Sequence, residues 1–224
     1  MLQQLYYITD RRQFAGDRHE QERQLLEKIA ECAAAGVELV QLREKDLSAG
    51  ALEELARKAT AAVAGSRTRL LINSRTDVAL AYGAHGVHLP ANDLAASDVR
   101  AIFARAGVSE PVIGVSAHSA AEVASAEAHG ADFAVFAPVF EKVGTASREG
   151  LEELRRICHR TEAAQPPMPV LALGGITLEN AQLCVAAGAA GIAAIRLFQE
   201  NQVPAIVKKL REAFNAGNPS GGRP

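Results

Sequence analysis

The feature that most constrains the fold is a regular alternation of short apolar runs with longer amphipathic segments. Runs rich in Val, Ile, Leu and aromatic residues predict strands at 5–9, 37–42, 69–73, 86–89, 111–115, 132–137, 169–173 and 191–195. The segments between them have helical periodicity, and several end at glycine, a usual helix stop. Strands joined by helices pair in parallel through right-handed crossovers. Eight such units close naturally, so we expect a single-domain α/β fold, the TIM (β/α)8 barrel.

Length and composition fit one such domain and exclude some classes of partner. The chain has 224 residues, of which 48% are hydrophobic and 22% charged, and its formal net charge is -2. This balance predicts neither a nucleic-acid nor a membrane partner. No apolar run reaches the roughly 20 residues that span a bilayer and no secretory signal is visible, so we expect a cytoplasmic protein. The barrel is expected over residues 1–216, with a disordered polar tail over 217–224.

The stretch VQLREKD begins in the last three residues of the second predicted strand and continues past its end, at the rim where barrels of this type carry their active sites. Gln41, Arg43 and Lys45 alternate along an extended segment and would therefore face the same way. Glu44 and Asp46 would face away, toward solvent or a salt bridge. This alternation predicts that Arg43 and Lys45 act together on one ligand.

Further cations follow other predicted strands. The full set at this rim is Arg43, Lys45, Arg75, Lys142, Arg148 and Arg196. Guanidinium forks match phosphate oxygens, so convergence of these residues predicts a phosphorylated ligand. The alternative is that they are solvated loop charges.

A glycine pair after the seventh strand predicts a phosphate site. Gly174 and Gly175 lead into a helix expected to start near Thr177, and Arg196 follows the eighth strand. Bare glycine backbone lets N–H groups approach phosphate, and loops after strands 7 and 8 often bind it in these barrels. A tight turn that needs glycine only for its geometry is the alternative.

Asp93 and His118 are candidates for metal binding and proton transfer. Asp93 follows the fourth strand and is the best candidate for a Mg²⁺ ligand, because Mg²⁺ uses one or two carboxylates with phosphate oxygens and water. It could instead cap the next helix. His118 follows the fifth strand and could transfer protons or only hydrogen-bond locally. His88 lies within the fourth strand and could face either way.

Seven motifs, in order and spacing, resemble the thiamine-phosphate synthase and thiazole tautomerase superfamily. They run from about residue 5 to 200 and read YYITD, VQLREKD, LLINSRTDVALAYGAHGVHLPANDL, IGVSAHS, GADFAVFAPVF, LALGGIT and AAGAAGIAAI. The resemblance implies thiamin biosynthesis. In the synthase, hydroxymethylpyrimidine diphosphate loses pyrophosphate, and the nitrogen of thiazole phosphate captures the pyrimidine carbocation. Mg²⁺ and cationic side chains stabilise the departing pyrophosphate.

The resemblance also implies roles for individual residues. Those matching the family's pyrimidine and diphosphate site are Gln41, Arg43, Lys45, Asn73 and Ser116, with Lys45 and Ser116 as catalytic candidates. Asp93 matches a metal carboxylate. Gly175, Ile195 and Arg196 match the thiazole phosphate site.

Departures from the family's pattern leave three functions open. Ser74 stands where the synthases usually have an acid, and the strand-6 loop offers Lys142 or Arg148 where they have Thr-x-Thr-Lys. A site with fewer acids than the synthases have is typical of the tautomerase, which isomerises carboxythiazole phosphate without a metal. In that function His118 would be the acid/base. The VQLREK cluster and Asp93 suit a diphosphate, hence the synthase. The third function is an inactive barrel that binds thiazole phosphate or thiamin phosphate. Homo-oligomerisation is compatible with the sequence, which shows no interface patch.

Overall fold

The strands of the computed structural model, which describes residues 3–140, 148–160 and 167–216, close into a parallel barrel. Each strand pairs with the next along the chain, and the last pairs with the first. They are β1 (Gln4–Ile8), β2 (Leu39–Leu42), β3 (Arg69–Asn73), β4 (Gly86–Leu89), β5 (Val112–Ala117), β6 (Phe133–Phe136), β7 (Val170–Ala172) and β8 (Gly191–Ala194). The predicted fold is confirmed, and each strand begins and ends within two residues of its expected bounds.

Helices cover the outside of the barrel. They are α1 (Arg18–Ala35), α2 (Ala49–Val63), α3 (Thr76–Tyr82), α4 (Ala96–Arg105), α5 (Ala120–Ala128), α6 (Arg148–Cys158), α7 (Ala181–Ala186), α8 (Arg196–Gln199) and α9 (Val203–Ala216), with a 3-10 turn at Arg11–Gln13. Among the helices described, none combines the length and the apolar character that crossing a membrane requires. The predicted tail at 217–224 lies outside the described residues.

The helix expected near Thr177 begins later, so that prediction is wrong. Residues 177–180 form a turn in which Asn180 Oδ1 accepts a hydrogen bond from the Thr177 N–H at 2.8 Å. Asn180 Nδ2 donates to the Gly175 carbonyl at 2.9 Å. The side chain of Asn180 thus pairs two backbone groups and stabilises this turn ahead of the helix.

Side chains from the strands form two apolar layers, because successive residues point to opposite faces. Tyr6 packs inside the barrel with Leu71, Phe133 and Leu171, whereas its neighbour Tyr7 packs outside among the helices. Each fully buried Leu or Phe contributes roughly 1.5–3 kcal/mol relative to an exposed one. The inner layer fills the barrel below its carboxyl-end rim and leaves an open mouth at that rim.

Candidate active site

A pocket of about 450 Å³ opens at the carboxyl ends of the strands. Its walls include the apolar side chains Ile8, Val135 and Leu173. The predicted site residues that it brings together are Gln41, Arg43, Lys45, Asn73, Ser116, His118 and Ile195. Seven residues from β2, β3, β5 and β8 or the segments after them therefore converge, as the barrel geometry predicts.

The VQLREKD stretch has the predicted alternation, with Gln41, Arg43 and Lys45 all lining the pocket. Within the described part of the chain, neither Arg43 nor Lys45 forms an ion pair. Two cations without carboxylate partners beside one cavity make it favourable for an anion. Of the described cations at this rim, these two fit the prediction of a phosphorylated ligand best.

A buried ion network lies behind this stretch. Glu44 faces away from the pocket, its side chain is only 1% exposed, and it pairs with Arg11, so of the two predicted surroundings the salt bridge is confirmed. Glu44 accepts hydrogen bonds from Thr9 Oγ1 at 2.6 Å and from Arg11 Nη1 at 2.9 Å. Arg11 also pairs with Asp46 at 2.7 Å. Thr9 Oγ1 in turn accepts from the Arg43 N–H at 2.9 Å, which joins the network to the pocket cation's backbone.

Burial and charge act in opposite directions on these carboxyl groups. Burial raises the pKa of Glu44, against the hydrogen bonds from Thr9 and Arg11 that favour its charged form. The hydrogen bond from Arg11 lowers the pKa of the more exposed Asp46. Arg11 thus holds two carboxylates at once, and the network fixes the backbone from which Arg43 and Lys45 project.

His88 forms part of the pocket floor, which settles its orientation: it faces the barrel interior and is 2% exposed. Its Nε2 lies 2.9 Å from Ser116 Oγ. Burial, with a smaller contribution from the charge of Arg43, lowers the pKa of His88 to about 3, so the imidazole is neutral. Beside it, Gln41 Nε2 donates to the Tyr6 hydroxyl at 2.8 Å. Buried partners therefore hold both polar side chains of the floor, Ser116 and Gln41.

One acid, Asp93, lies next to the pocket: its neighbour Asn92 lines the pocket, whereas Asp93 itself is not among the lining residues. Ser74 Oγ donates to Asp93 Oδ2, and the Leu94 N–H donates to Asp93 Oδ1 at 2.8 Å. Ser74 has a φ of 62°, in the left-handed region, and its N–H donates to the His88 carbonyl at 2.9 Å. In a residue other than glycine, this backbone conformation is less stable than an ordinary one by about 1–3 kcal/mol. Such residues are concentrated at functional sites. Ser74 therefore supports Asp93 at a cost in backbone strain.

The donor set around Asp93 fits a metal ion only in part. The described residues hold no group of three or more His, Cys, Asp or Glu side chains that could bind a metal. They do not form an all-protein cage. One carboxylate next to the lining of a cationic pocket does fit Mg²⁺ that takes its other ligands from substrate phosphate and water.

Other predicted residues lie apart from this pocket or only at its edge. Arg75 pairs with Asp77 at 2.6 Å and is 38% exposed. His118 lines the pocket edge but is largely exposed, and its Nδ1 lies 3.2 Å from Glu122 Oε2. Lys142 lies outside the described residues, as does the side chain of Arg148, whose backbone begins α6.

A second pocket, of about 390 Å³, adjoins the first. Its lining includes Gly175 and Arg196, and the preceding residue Ile195 lines the first pocket. Glu179 and Glu200 also line it, so its charge is mixed. Gly174 has a φ of 101°, and a Cβ there would lie 2.9 Å from Pro138 Cα. Gly174 is therefore required by the turn's geometry, whatever the loop binds.

A closed barrel with a cationic pocket at its carboxyl-end rim has the organisation of a TIM-barrel enzyme. The model of the thiamine monophosphate synthase family matches residues 5–198, and the chain belongs to that family. This confirms the predicted superfamily.

Relatives and a solved structure agree with this membership. A putative thiamine-phosphate synthase of Geobacter sulfurreducens is 42% identical over 194 residues, covering 85% of this chain and 84% of the relative. A thiamine-phosphate synthase of Clostridium acetobutylicum is 35% identical over 193 residues, with 85% and 84% covered. The structure of thiamine phosphate pyrophosphorylase from Pyrococcus furiosus is similar with a TM-score of 0.77 and 28% identity, covering 96% of each chain.

Proposed function

We propose that the chain is a thiamine-phosphate synthase, which joins hydroxymethylpyrimidine diphosphate to thiazole phosphate and releases pyrophosphate. The observation that carries this proposal is the pair of cations, Arg43 and Lys45, that face the pocket without ion-pair partners among the described residues. A diphosphate supplies the missing negative charge, and both cations can bind its oxygens. The partners are therefore two phosphorylated small molecules, and the proposed location is the cytoplasm.

The chain's own residues account for the steps of this reaction. The carbon–oxygen bond to the diphosphate breaks with its electron pair leaving on pyrophosphate, and the thiazole nitrogen lone pair forms the new carbon–nitrogen bond. Arg43 and Lys45 stabilise the charge that grows on the leaving group, and they need no reorganisation because β2 already presents them. The apolar wall of Ile8, Val135 and Leu173 excludes water from the cation.

Further residues bind and orient the two substrates. Ser116 and Gln41 face the pyrimidine ring, with Asn73 beside them, and Gly175 with Arg196 takes the phosphate of the thiazole in the second pocket. Asp93 would hold Mg²⁺, which when bound supplies further positive charge to the leaving pyrophosphate.

Product formation tests the proposal. Purified protein with hydroxymethylpyrimidine diphosphate, thiazole phosphate and Mg²⁺ is expected to release thiamin phosphate and pyrophosphate in equal amounts. Asp93→Ala is expected to lower the rate and raise the Mg²⁺ concentration needed for half-maximal activity. Glu110→Ala, which removes an exposed carboxylate ahead of β5, is the matched control and should behave like the wild type. Absence of thiamin phosphate with the wild-type chain rejects the proposal.

A second candidate is the tautomerase, favoured by one observation. His118 lines the same pocket and has a carboxylate, Glu122, at 3.2 Å from its Nδ1. Isomerisation of carboxythiazole phosphate without metal, followed by NMR, would support it if His118→Ala abolishes the reaction. His129→Ala, in an exposed histidine after α5, is the control. Tight binding of thiazole phosphate or thiamin phosphate with neither reaction would leave a binding protein.

A further inference from the structure

His88 is held rigidly in the pocket floor by its neighbours. Its ring centroid lies 5.7 Å from that of Tyr6 and 6.0 Å from that of Phe133. Its partner on the adjacent strand β5 is Gly114, where a Cβ would lie 2.8 Å from His88 Nδ1. The missing side chain at Gly114 therefore makes the space that the imidazole occupies.

The two ring nitrogens of His88 have different surroundings. Nε2 lies 2.9 Å from Ser116 Oγ. Nδ1 is closed to solvent and has no hydrogen-bond partner among the described residues. A neutral imidazole carries one N–H. Placed on Nδ1, that N–H would be a buried donor without an acceptor, at a cost of about 1–3 kcal/mol. We therefore assign the proton to Nε2, where it donates to Ser116 Oγ.

This assignment fixes the direction of the Ser116 hydroxyl. A hydroxyl has one proton to donate and lone pairs to accept with. When a lone pair of Ser116 Oγ accepts the hydrogen bond from His88, the hydroxyl proton of Ser116 must point away from His88. Ser116 lines the pocket, and His88 is its only hydrogen-bond partner in the part of the chain that the structure describes. The O–H is thus available as a donor to a bound ligand.

We propose that His88 is a positioning residue that makes Ser116 a hydrogen-bond donor into the pocket, so that the site selects a ring presenting an acceptor nitrogen at that edge. The proposal rests on the proposed function, because it takes the pyrimidine diphosphate as the ligand. A ring with C–H at the same position would leave the serine proton without an acceptor, and a ring with N–H would place a second donor against it. The site would therefore bind either ring more weakly.

Two variants of His88 test the proposal by equilibrium binding. His88→Gln keeps an N–H donor near the position of Nε2, whereas His88→Leu removes it. The probes are hydroxymethylpyrimidine diphosphate and two analogues in which one or the other ring nitrogen is replaced by CH. We expect the wild type to bind one analogue about tenfold more weakly than the parent, consistent with one lost hydrogen bond. This discrimination should shrink to less than about threefold in His88→Leu and persist in His88→Gln.

Binding of a second ligand shows whether the His88→Leu variant is still correctly folded. Thiazole phosphate, assigned to the second pocket, should bind His88→Leu and the wild type equally, which separates a lost hydrogen bond from a damaged barrel. The proposal is overturned if the wild type binds both analogues as tightly as the parent, or if His88→Leu discriminates as well as the wild type.

A ligand-free measurement separates this proposal from the proposed function. Nitrogen-15 NMR of the imidazole in the free protein reports which ring nitrogen carries the proton. A proton on Nδ1 of His88 overturns the positioning role even if the protein makes thiamin phosphate. Conversely, a proton on Nε2 supports the inference that the Ser116 hydroxyl donates into the pocket. If the protein nevertheless does not bind the pyrimidine diphosphate, the ligand assignment and the proposed function both fail.

Discussion

The cationic side of the main pocket and the acidic side next to it, where Asp93 lies just beyond the lining residue Asn92, are built in opposite ways. On the β1–β2 side, the cations Arg43 and Lys45 rest on a buried network in which Arg11 holds both Glu44 and Asp46. On the β3–β4 side, a single carboxylate, Asp93, is held by a hydroxyl and one backbone N–H. The cationic side has several mutually supporting partners, whereas the acidic side has few and includes a strained residue. The residues proposed to bind the anion are thus held by more partners than the residue proposed to bind Mg²⁺.

The largest effect is expected from Arg11→Ala, which breaks the support of the cationic side. Removing one partner of a buried ion pair leaves Glu44 charged and uncompensated, so the free energy of unfolding should fall by about 3–5 kcal/mol. Urea unfolding measures it. Arg12→Ala, in the exposed neighbour, is the control and should change stability little. A double variant, Arg11→Met with Glu44→Gln, should recover part of the loss because no buried charge remains. An equal loss in the double variant contradicts the ion-pair explanation.

Arg43→Ala removes a cation from the pocket itself and should act on activity rather than stability. Loss of a hydrogen bond from a charged group costs about 1.5–3 kcal/mol, or roughly 13- to 160-fold in kcat/KM for the pyrimidine diphosphate. Arg75→Ala is the matched comparison, because Arg75 is paired with Asp77 and lies outside the pocket lining. We expect less than about a threefold change there, since exposed pairs contribute little. Equal effects of the two variants would show that the pairing pattern does not identify the anion site.

His88, in the pocket floor, should make the free energy of unfolding depend on pH. The pKa of His88 is lowered to about 3 by burial, against an ordinary value of 6.5. Between these values the unfolded chain binds one proton more than the folded chain, so the free energy of unfolding falls as the pH drops below 6.5. The loss is about 2 kcal/mol at pH 5, since one pKa unit is worth up to about 1.4 kcal/mol.

His88→Gln isolates this contribution. The difference in unfolding free energy between wild type and His88→Gln should change by that amount between pH 7.5 and pH 5, as measured by urea titration. A difference that stays constant across this range means that His88 does not titrate as a buried neutral group.

The smallest effect is expected on the acidic side. Ser74→Asp adds a second carboxylate beside Asp93, and more ligand charge strengthens binding of a divalent ion. The variant should be about 1 kcal/mol less stable than the wild type without Mg²⁺, because two carboxylates then repel each other. Mg²⁺ should raise its melting temperature more than it raises that of the wild type. No difference in the Mg²⁺ response would place the metal away from Asp93.

The sequence predicted the strands and the pocket-facing alternation well, because both follow from periodicity. Gln41, Arg43 and Lys45 share one face for the same reason that Tyr6 and Tyr7 do not. The inward direction of His88 was also accessible, since its neighbours Val87 and Leu89 are apolar residues that pack outside the barrel.

Contacts between distant positions were not predictable from local pattern. Arg11 and Glu44 are 33 positions apart, and Ser74 and Asp93 are 19 apart, so only the closed barrel brings each pair together. The late start of α7 was not predicted because it depends on the hydrogen bonds that the side chain of Asn180 makes to Thr177 and Gly175 in the preceding turn. The roles of the predicted site residues remain proposals.

The bare backbone at Gly114 also constrains the order in which this barrel can change by mutation. A methyl group there would lie 2.3 Å from Phe133 Cζ and 2.8 Å from His88 Nδ1. Alanine can be accepted at this position only after both rings have shifted or become smaller. Positions 88, 114 and 133 are therefore linked: a descendant that replaces the imidazole alone still meets Phe133, so position 114 can gain a side chain only after positions 88 and 133 have both changed.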